Sequence, residues 1–275
     1  VPGRGEFFVR TTQGPGDTLP VVLIHGWQAT ADVNFFPLYA PLSERHRVIA
    51  ADLRGHGRSV YSERGFTLED AADDNAALLR DLGYERAIVA GYSIGTAVTQ
   101  TMVQRHPGLV AGVVLMAGEF VPHRRPHEKV YDRMGGWQAT AQRLTSGRWG
   151  AHRVVSKSAR ENPALEAHRE WLVAEMERGH SADLRAAGRC LARFDGAPIA
   201  AAANGLPAAA VITRRDHLVR PVRQERLAEA WRAPVVDLDA DHDAPVAQPA
   251  AFVAAALQAI GIVRDVVHAR SAVDA

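Results

Sequence analysis

The sequence predicts an α/β domain: a mostly parallel sheet with helices on both faces, interrupted by a helical insertion. Three observations predict it. Short all-apolar runs alternate with stretches of helical period, and runs of four to eight apolar residues are what strands look like when both faces of a parallel sheet are covered. The alternation stops from Phe120 to about Leu206, where charged helical stretches and scattered aromatics (Trp137, Trp149, Trp171, Phe194) take over, and it resumes at Ala208. The loops that follow the early runs are rich in Gly and His, as strand-end loops that carry chemistry are.

The elements follow in order. Glu6 to Arg10 reads as an edge strand, then comes the Gly/Pro punctuation of Gly14 to Pro20. Val21–Ile24 and Val48–Ala51 are buried strands. Thr67 and Asp70 resemble a capping box, and Leu68, Ala71, Ala72, Asn75, Leu78, Leu79 and Leu82 fall on one helical face, with Gly83 as the stop. A strand at Ala87–Ala90, a helix to about His106 and a strand at Gly112–Met116 come next. Past the insertion, Ala208–Thr213 and Val235–Leu238 read as strands, and Arg223–Trp231 and Gln248–Ile260 as helices. Residues 1–119 and 207–275 thus form the expected core, and 120–206 the insertion.

Composition excludes several functions. The formal charge is +1, with 32 basic residues spread among 31 acidic ones, which argues against nucleic acid and against an anionic membrane surface. Only Lys129 and Lys157 are lysines; the Arg and Ala excess reflects a GC-rich coding bias. Cys190 is alone, so one chain builds neither a disulfide nor a cysteine metal site, and a reducing, cytoplasmic setting fits. No apolar run is expected to reach the ~18 residues of a membrane-spanning helix. No charged, then apolar leader is visible at Val1, a first residue other than Met that is compatible with an excised one.

Gly91-Tyr92-Ser93-Ile94-Gly95 is a GxSxG between a strand and a helix. In a chain of this composition the pattern arises by chance about 0.06 times, so the competing explanation, a serine that merely caps a helix, is the weaker one. The turn exposes the hydroxyl at the top of the sheet beside a helix N-terminus, where free amides favour developing negative charge. A serine hydroxyl needs a base. Of the twelve histidines, His242 follows the last strand in the loop Asp239-Ala240-Asp241-His242-Asp243 and so shares the carboxyl-end rim with Ser93. Asp216, after the strand ending at Thr213, is the expected acid, giving the order Ser93, Asp216, His242. Glu119, after Met116, is the alternative acid. Asp237, Asp239, Asp241 and Asp243 read as strand-end or solvated charges. The amides of Ile94 and Trp27 are the expected oxyanion donors, and His25 a buried structural hydrogen-bonder. The charges of Asp52 to Ser59 are expected to fix their loop.

With these residues assembled, the chain resembles the α/β-hydrolase superfamily, in its capped serine esterase and haloperoxidase-like branch. The matching pieces are His25-Gly26-Trp27, Asp52-Leu53-Arg54-Gly55-His56-Gly57-Arg58-Ser59, Gly91 to Gly95, Asp216 and Asp241-His242, within about Glu6 to Ile262. The resemblance implies an eight-stranded, mostly parallel sheet, a Ser-Asp-His triad and no cofactor, with the insertion as a variable lid. Thr96 stands where many relatives have Gly, and Arg214-Arg215 where Gly is usual. Serine at the elbow separates the chain from the epoxide hydrolases and haloalkane dehalogenases of this fold, which use aspartate.

The expected reaction is hydrolysis of a carboxylic ester or lactone, a small and apolar substrate, through an acyl-enzyme. Carbon–carbon bond hydrolysis, thioester hydrolysis, acyl transfer and perhydrolysis run on the same triad. A non-catalytic small-molecule receptor is a different class, and His123 with His127, four apart, are read as surface residues over a metal pair.

Overall fold

The computed structural model describes residues 1–15, 18–62, 65–119, 148–203 and 205–273. Its sheet has seven described strands: β1 (Val9–Thr11), β2 (Val21–Ile24), β3 (Val48–Ala51), β4 (Ala87–Tyr92), β5 (Val110–Met116), β6 (Ala208–Thr213) and β7 (Val235–Leu238), in the order β1-β3-β2-β4-β5-β6-β7. Only β1 is antiparallel, against β3. That is one strand fewer than the resemblance implies. Ahead of β1 the chain turns instead of extending: Arg4 and Gly5 amides donate to the Val1 carbonyl, with Gly3 and Gly5 at positive φ.

From β2 the chain steps outward to β3, then returns to place β4 on the other flank of β2, with Ile24 opposite Gly91. The loops leaving β2 and β4 therefore diverge from adjacent strand ends, and such a reversal point opens a crevice at the carboxyl edge. The two sites of interest in the sequence, His25-Gly26-Trp27 and the Ser93 turn, both leave from it.

Both faces of the inner strands β2 to β6 are buried, which is why they read as continuous apolar runs, whereas the edge strands β1 and β7 each expose residues to solvent. In β2, Val22 and Ile24 pack with α3 (Leu68–Asp81), α4 (Ile94–Arg105) and α9 (Pro221–Ala230), while Val21 and Leu23 pack on the opposite face with Phe35, Leu38 and Leu42. The latter three belong to α1 (Ala31–Phe35), α2 (Tyr39–Ser43) and the turn between them. The Thr67 hydroxyl caps α3 by accepting the Asp70 amide, and Gly83 follows at φ 81° as the stop.

The C-terminal helix, α11 (Pro249–Val273), runs well past the expected Ile260. Its first 22 residues, Pro249–Arg270, are long and apolar enough to cross a membrane by length and composition, contrary to the expectation that no run reaches that length. Phe252, Ala256, Ile260, Val263 and Val267 bury one stripe of it against the sheet, which is how a core helix of this architecture is used. Arg264 and Asp265 sit off that stripe, so the apolar pattern continues past them.

Between β5 and β6 the described helices are α5 (Arg148–Glu161), α6 (Arg169–Glu177), α7 (Ser181–Leu191) and α8 (Ala197–Ala202). Ala186, Ala187, Ile199 and Ala200 join the core of α3 and α4, and Val155, Leu165, Leu172 and Val173 form a smaller cluster with Val33 and Val246. Val33 follows β2 and Val246 follows β7, so these helices lie across the strand-end rim. Trp137, His123 and His127 lie outside the described residues.

Candidate active site

Ser93 sits between β4 and α4 at φ 55° and ψ −121°, a conformation that costs a non-glycine residue about 1–3 kcal/mol and persists only where the surroundings impose it. The surroundings are tight. A Cβ on Gly95 would lie 2.1 Å from the Ile24 carbonyl oxygen, and one on Gly91 would lie 2.3 Å from that of Gly95. The Ser93 amide donates to Met116 at 2.9 Å, tying the turn to β5. Thr96 donates its hydroxyl to the Ser93 carbonyl at 2.8 Å and packs against Gly118, where a Cβ would lie 2.1 Å from its oxygen. Gly95→Ala is therefore expected to destabilise the fold by about 3 kcal/mol or more, read by urea unfolding, because backbone and not a flexible side chain must yield. An unchanged midpoint would contradict it.

The structure brings Ser93, His242 and Asp216 into one hydrogen-bonded chain. His242 Nε2 lies 3.1 Å from Ser93 Oγ, and His242 Nδ1 lies 2.7 Å from Asp216 Oδ2. An ionised carboxylate only accepts, so Nδ1 carries the proton and Nε2 presents a lone pair to the serine hydroxyl. Asp216 has no exposed side-chain surface. Its Oδ1 accepts the amides of Leu218 and Val219 at 2.8 and 2.7 Å, and its Oδ2 also accepts from Thr213 Oγ1 at 2.7 Å and Gln224 Nε2 at 3.2 Å. The Tyr92 hydroxyl donates to the His242 carbonyl at 2.8 Å, fixing the other side of the histidine loop. Glu119, the alternative acid, is held elsewhere: its carboxylate accepts from Arg223 at 3.0 Å, and Asp216 occupies the Nδ1 position.

Gly26 comes close to the serine, a Cβ there falling 3.4 Å from Ser93 Cβ, and its amide donates to the buried Asn34 at 2.6 Å. No acceptor among the described residues engages the amides of Trp27 or Ile94. His25 donates from Nδ1 to the Gly26 carbonyl and accepts the Leu53 amide at Nε2, both at 2.8 Å; burial pushes its pKa down to about 4, so it stays neutral and fixes two loops. Asp52 accepts the amides of Ala31 and Arg58, and Arg54 pairs with Asp74 at 2.6 and 2.7 Å, holding the loop as the sequence suggests.

Residues 20–247 match the family model of the alpha/beta hydrolase fold. The chain belongs to that family. Among curated relatives it is 41% identical over 105 residues to a non-heme chloroperoxidase of Streptomyces lividans, 39% over 103 residues to a 2-(acetamidomethylene)succinate hydrolase of Mesorhizobium japonicum, and 36% over 105 residues to a bifunctional esterase/perhydrolase of Acinetobacter calcoaceticus. These matches cover 38% of this chain, and 36–38% of each relative's length. Solved structures extend the likeness to the whole chain. An E-2-(acetamidomethylene)succinate hydrolase superposes with a TM-score of 0.73 at 27% identity, covering 94% of this chain and 96% of its own. A thermophilic esterase from Thermogutta terrifontis superposes at 0.71, 24% identical, with 96% of each chain covered, which speaks for the fold alone.

In this α/β hydrolase the acidic loop around His242 departs from the sequence expectation. Asp241 is buried and Asp243 is partly buried, and each carboxylate is held by the inserted helices. Asp241 is 9% exposed and accepts the amides of His242 at 2.7 Å and His217 at 3.1 Å, the Lys157 ammonium at 2.5 Å and His217 Nδ1 at 3.2 Å. These donors hold its carboxyl well below the usual range despite burial, which acts in the other direction. Asp243 accepts the Ser158 hydroxyl at 2.6 Å. On the opposite side, Glu175 of α6 accepts from Thr30 and Arg58, both at 3.1 Å, and Trp27 Nε1 donates to the Leu184 carbonyl at 2.8 Å. The inserted helices thus grip both the His242 loop and the Trp27 loop. Partners 84 positions apart, such as Lys157 and Asp241, leave no local pattern for sequence reading to find.

Proposed function

We propose that this chain is a serine hydrolase that cleaves carboxylic esters or lactones through an acyl-enzyme, with Ser93 as nucleophile, His242 as base and Asp216 as the acid that orients it. The 3.1 Å approach of His242 Nε2 to the Ser93 hydroxyl, with a buried carboxylate on the other ring nitrogen, carries the reading. His242 takes the hydroxyl proton as Ser93 Oγ attacks the carbonyl carbon. The oxyanion that forms is received by the amides of Ile94, at the first turn of α4, and Trp27, which have no other acceptor among the described residues. The imidazolium, stabilised by Asp216, then protonates the leaving alkoxide. Water enters, His242 takes its proton, and the same sequence in reverse frees the carboxylic acid and restores the serine. No step requires a cofactor.

The described helices of the insertion, between Arg148 and Ala202, act as part of the lid, since they rest on the rim and touch the loops on both sides of the serine. A small apolar ester or lactone is the substrate class. An esterase/perhydrolase among the sequence relatives supports the ester reading, and the same relative favours one second reading, in which hydrogen peroxide replaces water at deacylation and a peracid leaves.

The test is a panel of p-nitrophenyl esters of increasing acyl length and of lactone rings, with Ser93→Ala as the blank. Turnover on at least one member above the blank is expected; equal rates for parent and variant across the panel would remove the proposal. Peracid formation with added peroxide, read by halogenation of a dye, separates the second reading. Glu119→Gln is expected to change kcat by less than about tenfold, because its partner is Arg223 and not the imidazole. A loss as large as that at Asp216 would move the acid assignment.

A further inference from the structure

Asp241 stands where three parts of the chain meet. Through its Oδ1 it accepts the amide of His242, the residue after it, at 2.7 Å and that of His217, the residue after Asp216, at 3.1 Å. Its Oδ2 accepts Lys157 Nζ at 2.5 Å, from α5 of the insertion. The loops that carry the acid and the base are thus stitched through one carboxylate, and the charge of that carboxylate is met from the inserted helices. Ser158 adds a second contact on the far side of the histidine, to Asp243 at 2.6 Å, and Asn162 a third, to the Val246 carbonyl at 3.3 Å.

We propose that Lys157, acting through Asp241, is a positioning residue for the His242 imidazole, so that docking of the inserted helix sets the geometry of the base. The inference rests on the triad reading. The side chain of Lys157 is 54% exposed and that of Asp241 is 11% exposed. The half-exposed ammonium meets a nearly buried carboxylate, so its loss acts on the local geometry of the loop, and thermal unfolding reads any accompanying cost to the fold. A shift of the Asp241 loop by a few tenths of an ångström moves His242 Nε2 relative to Ser93 Oγ, and proton transfer falls steeply with such misplacement. The charge has a separate effect. Among the described residues, the charged and titratable groups around His242 are Asp216 on its Nδ1, Asp241 with Lys157 and His217, Asp243 with Ser158, and Tyr92 of β4, whose ring lies 5.6 Å from the imidazole and whose hydroxyl is held by the His242 carbonyl. Removing the ammonium leaves Asp241 less compensated and favours the imidazolium; neutralising Asp241 does the reverse.

The experiment compares Lys157→Met, Lys157→Arg and Asp241→Asn with the parent, using kcat, KM and the acidic limb of the kcat/KM pH profile on the best ester of the panel, with thermal unfolding as a control. Lys157→Met is expected to lower kcat about tenfold with KM within about twofold, and to move the acidic limb to higher pH; Lys157→Arg restores both. Asp241→Asn moves the limb to lower pH. A Lys157→Met variant with the parent's kcat and limb overturns the proposal, as does a change confined to KM or a failure of Lys157→Arg to restore activity. Fluorophosphonate labelling of the parent separates the two ideas: a parent serine that does not react sinks the triad reading itself, whereas a parent that reacts beside an unaffected Lys157→Met sinks only this inference.

Discussion

Ser93→Ala is expected to lower kcat by on the order of 10⁴- to 10⁶-fold on any ester the parent hydrolyses, the scale seen when a triad nucleophile is removed. The reasoning is geometric. The Oγ atom is the group within 3.1 Å of His242 Nε2, and deleting it leaves the base facing a methyl group. Stability is expected to change little, because alanine must adopt the same positive φ as serine and the Ser93 hydroxyl caps no helix amide. KM stays near that of the parent, since substrate contacts outside Oγ remain. A variant retaining more than about a hundredth of the parent's kcat would show that some other group attacks.

Asp216→Asn is expected to cost about 10⁴-fold in kcat with a nearly unchanged KM, as replacement of the triad carboxylate by an amide does. The amide oxygen takes the Oδ1 position, where it still accepts Leu218 and Val219. The amide NH₂ then stands at the Oδ2 position, facing His242 Nδ1 and Gln224 Nε2. Facing a donor, Nδ1 gives up its proton and accepts, which places the ring proton on Nε2 against the Ser93 hydroxyl. The base can no longer take a proton from the serine. Two donors also meet where Gln224 Nε2 stood 3.2 Å from the carboxylate, so a stability loss of about 1–3 kcal/mol accompanies the kinetic one. Rates measured at saturating substrate beside urea unfolding separate the two effects. A kcat within tenfold of the parent would return the role to another carboxylate.

Much of the fold was legible because buried parallel strands are locally encoded. Val21–Ile24, Val48–Ala51 and Ala208–Thr213 stand where the apolar runs put them, and the edge strand Val235–Leu238, exposed at alternate residues, stands at its expected place. The elbow was legible because its glycines are demanded by backbone approaches of 2.1 and 2.3 Å, so spacing alone carries the geometry. Asp216 and His242 lie together beside Ser93 at strand ends, a placement that follows from topology and not from local pattern. What escaped has physical reasons. The three-residue β1 begins at Val9, and α1 and α2 have five residues each, too short for a period to declare itself. α11 runs past the expected Ile260 because Val263 and Val267, four apart, carry its buried stripe beyond the charged Arg264 and Asp265. Asp241 looked solvated because four acidic residues fall between 237 and 243, and beyond the neighbouring His242 amide its donors come from the loop after β6 and from α5.

Peptide mapping of the protein after reaction with a fluorophosphonate tests the central claim most directly, because it reports the nucleophile without knowledge of the substrate. One phosphonyl group on Ser93 is expected, absent from Ser93→Ala and slowed severely in Asp216→Asn. An unmodified Ser93, or a label carried by a different residue of the parent, would contradict it.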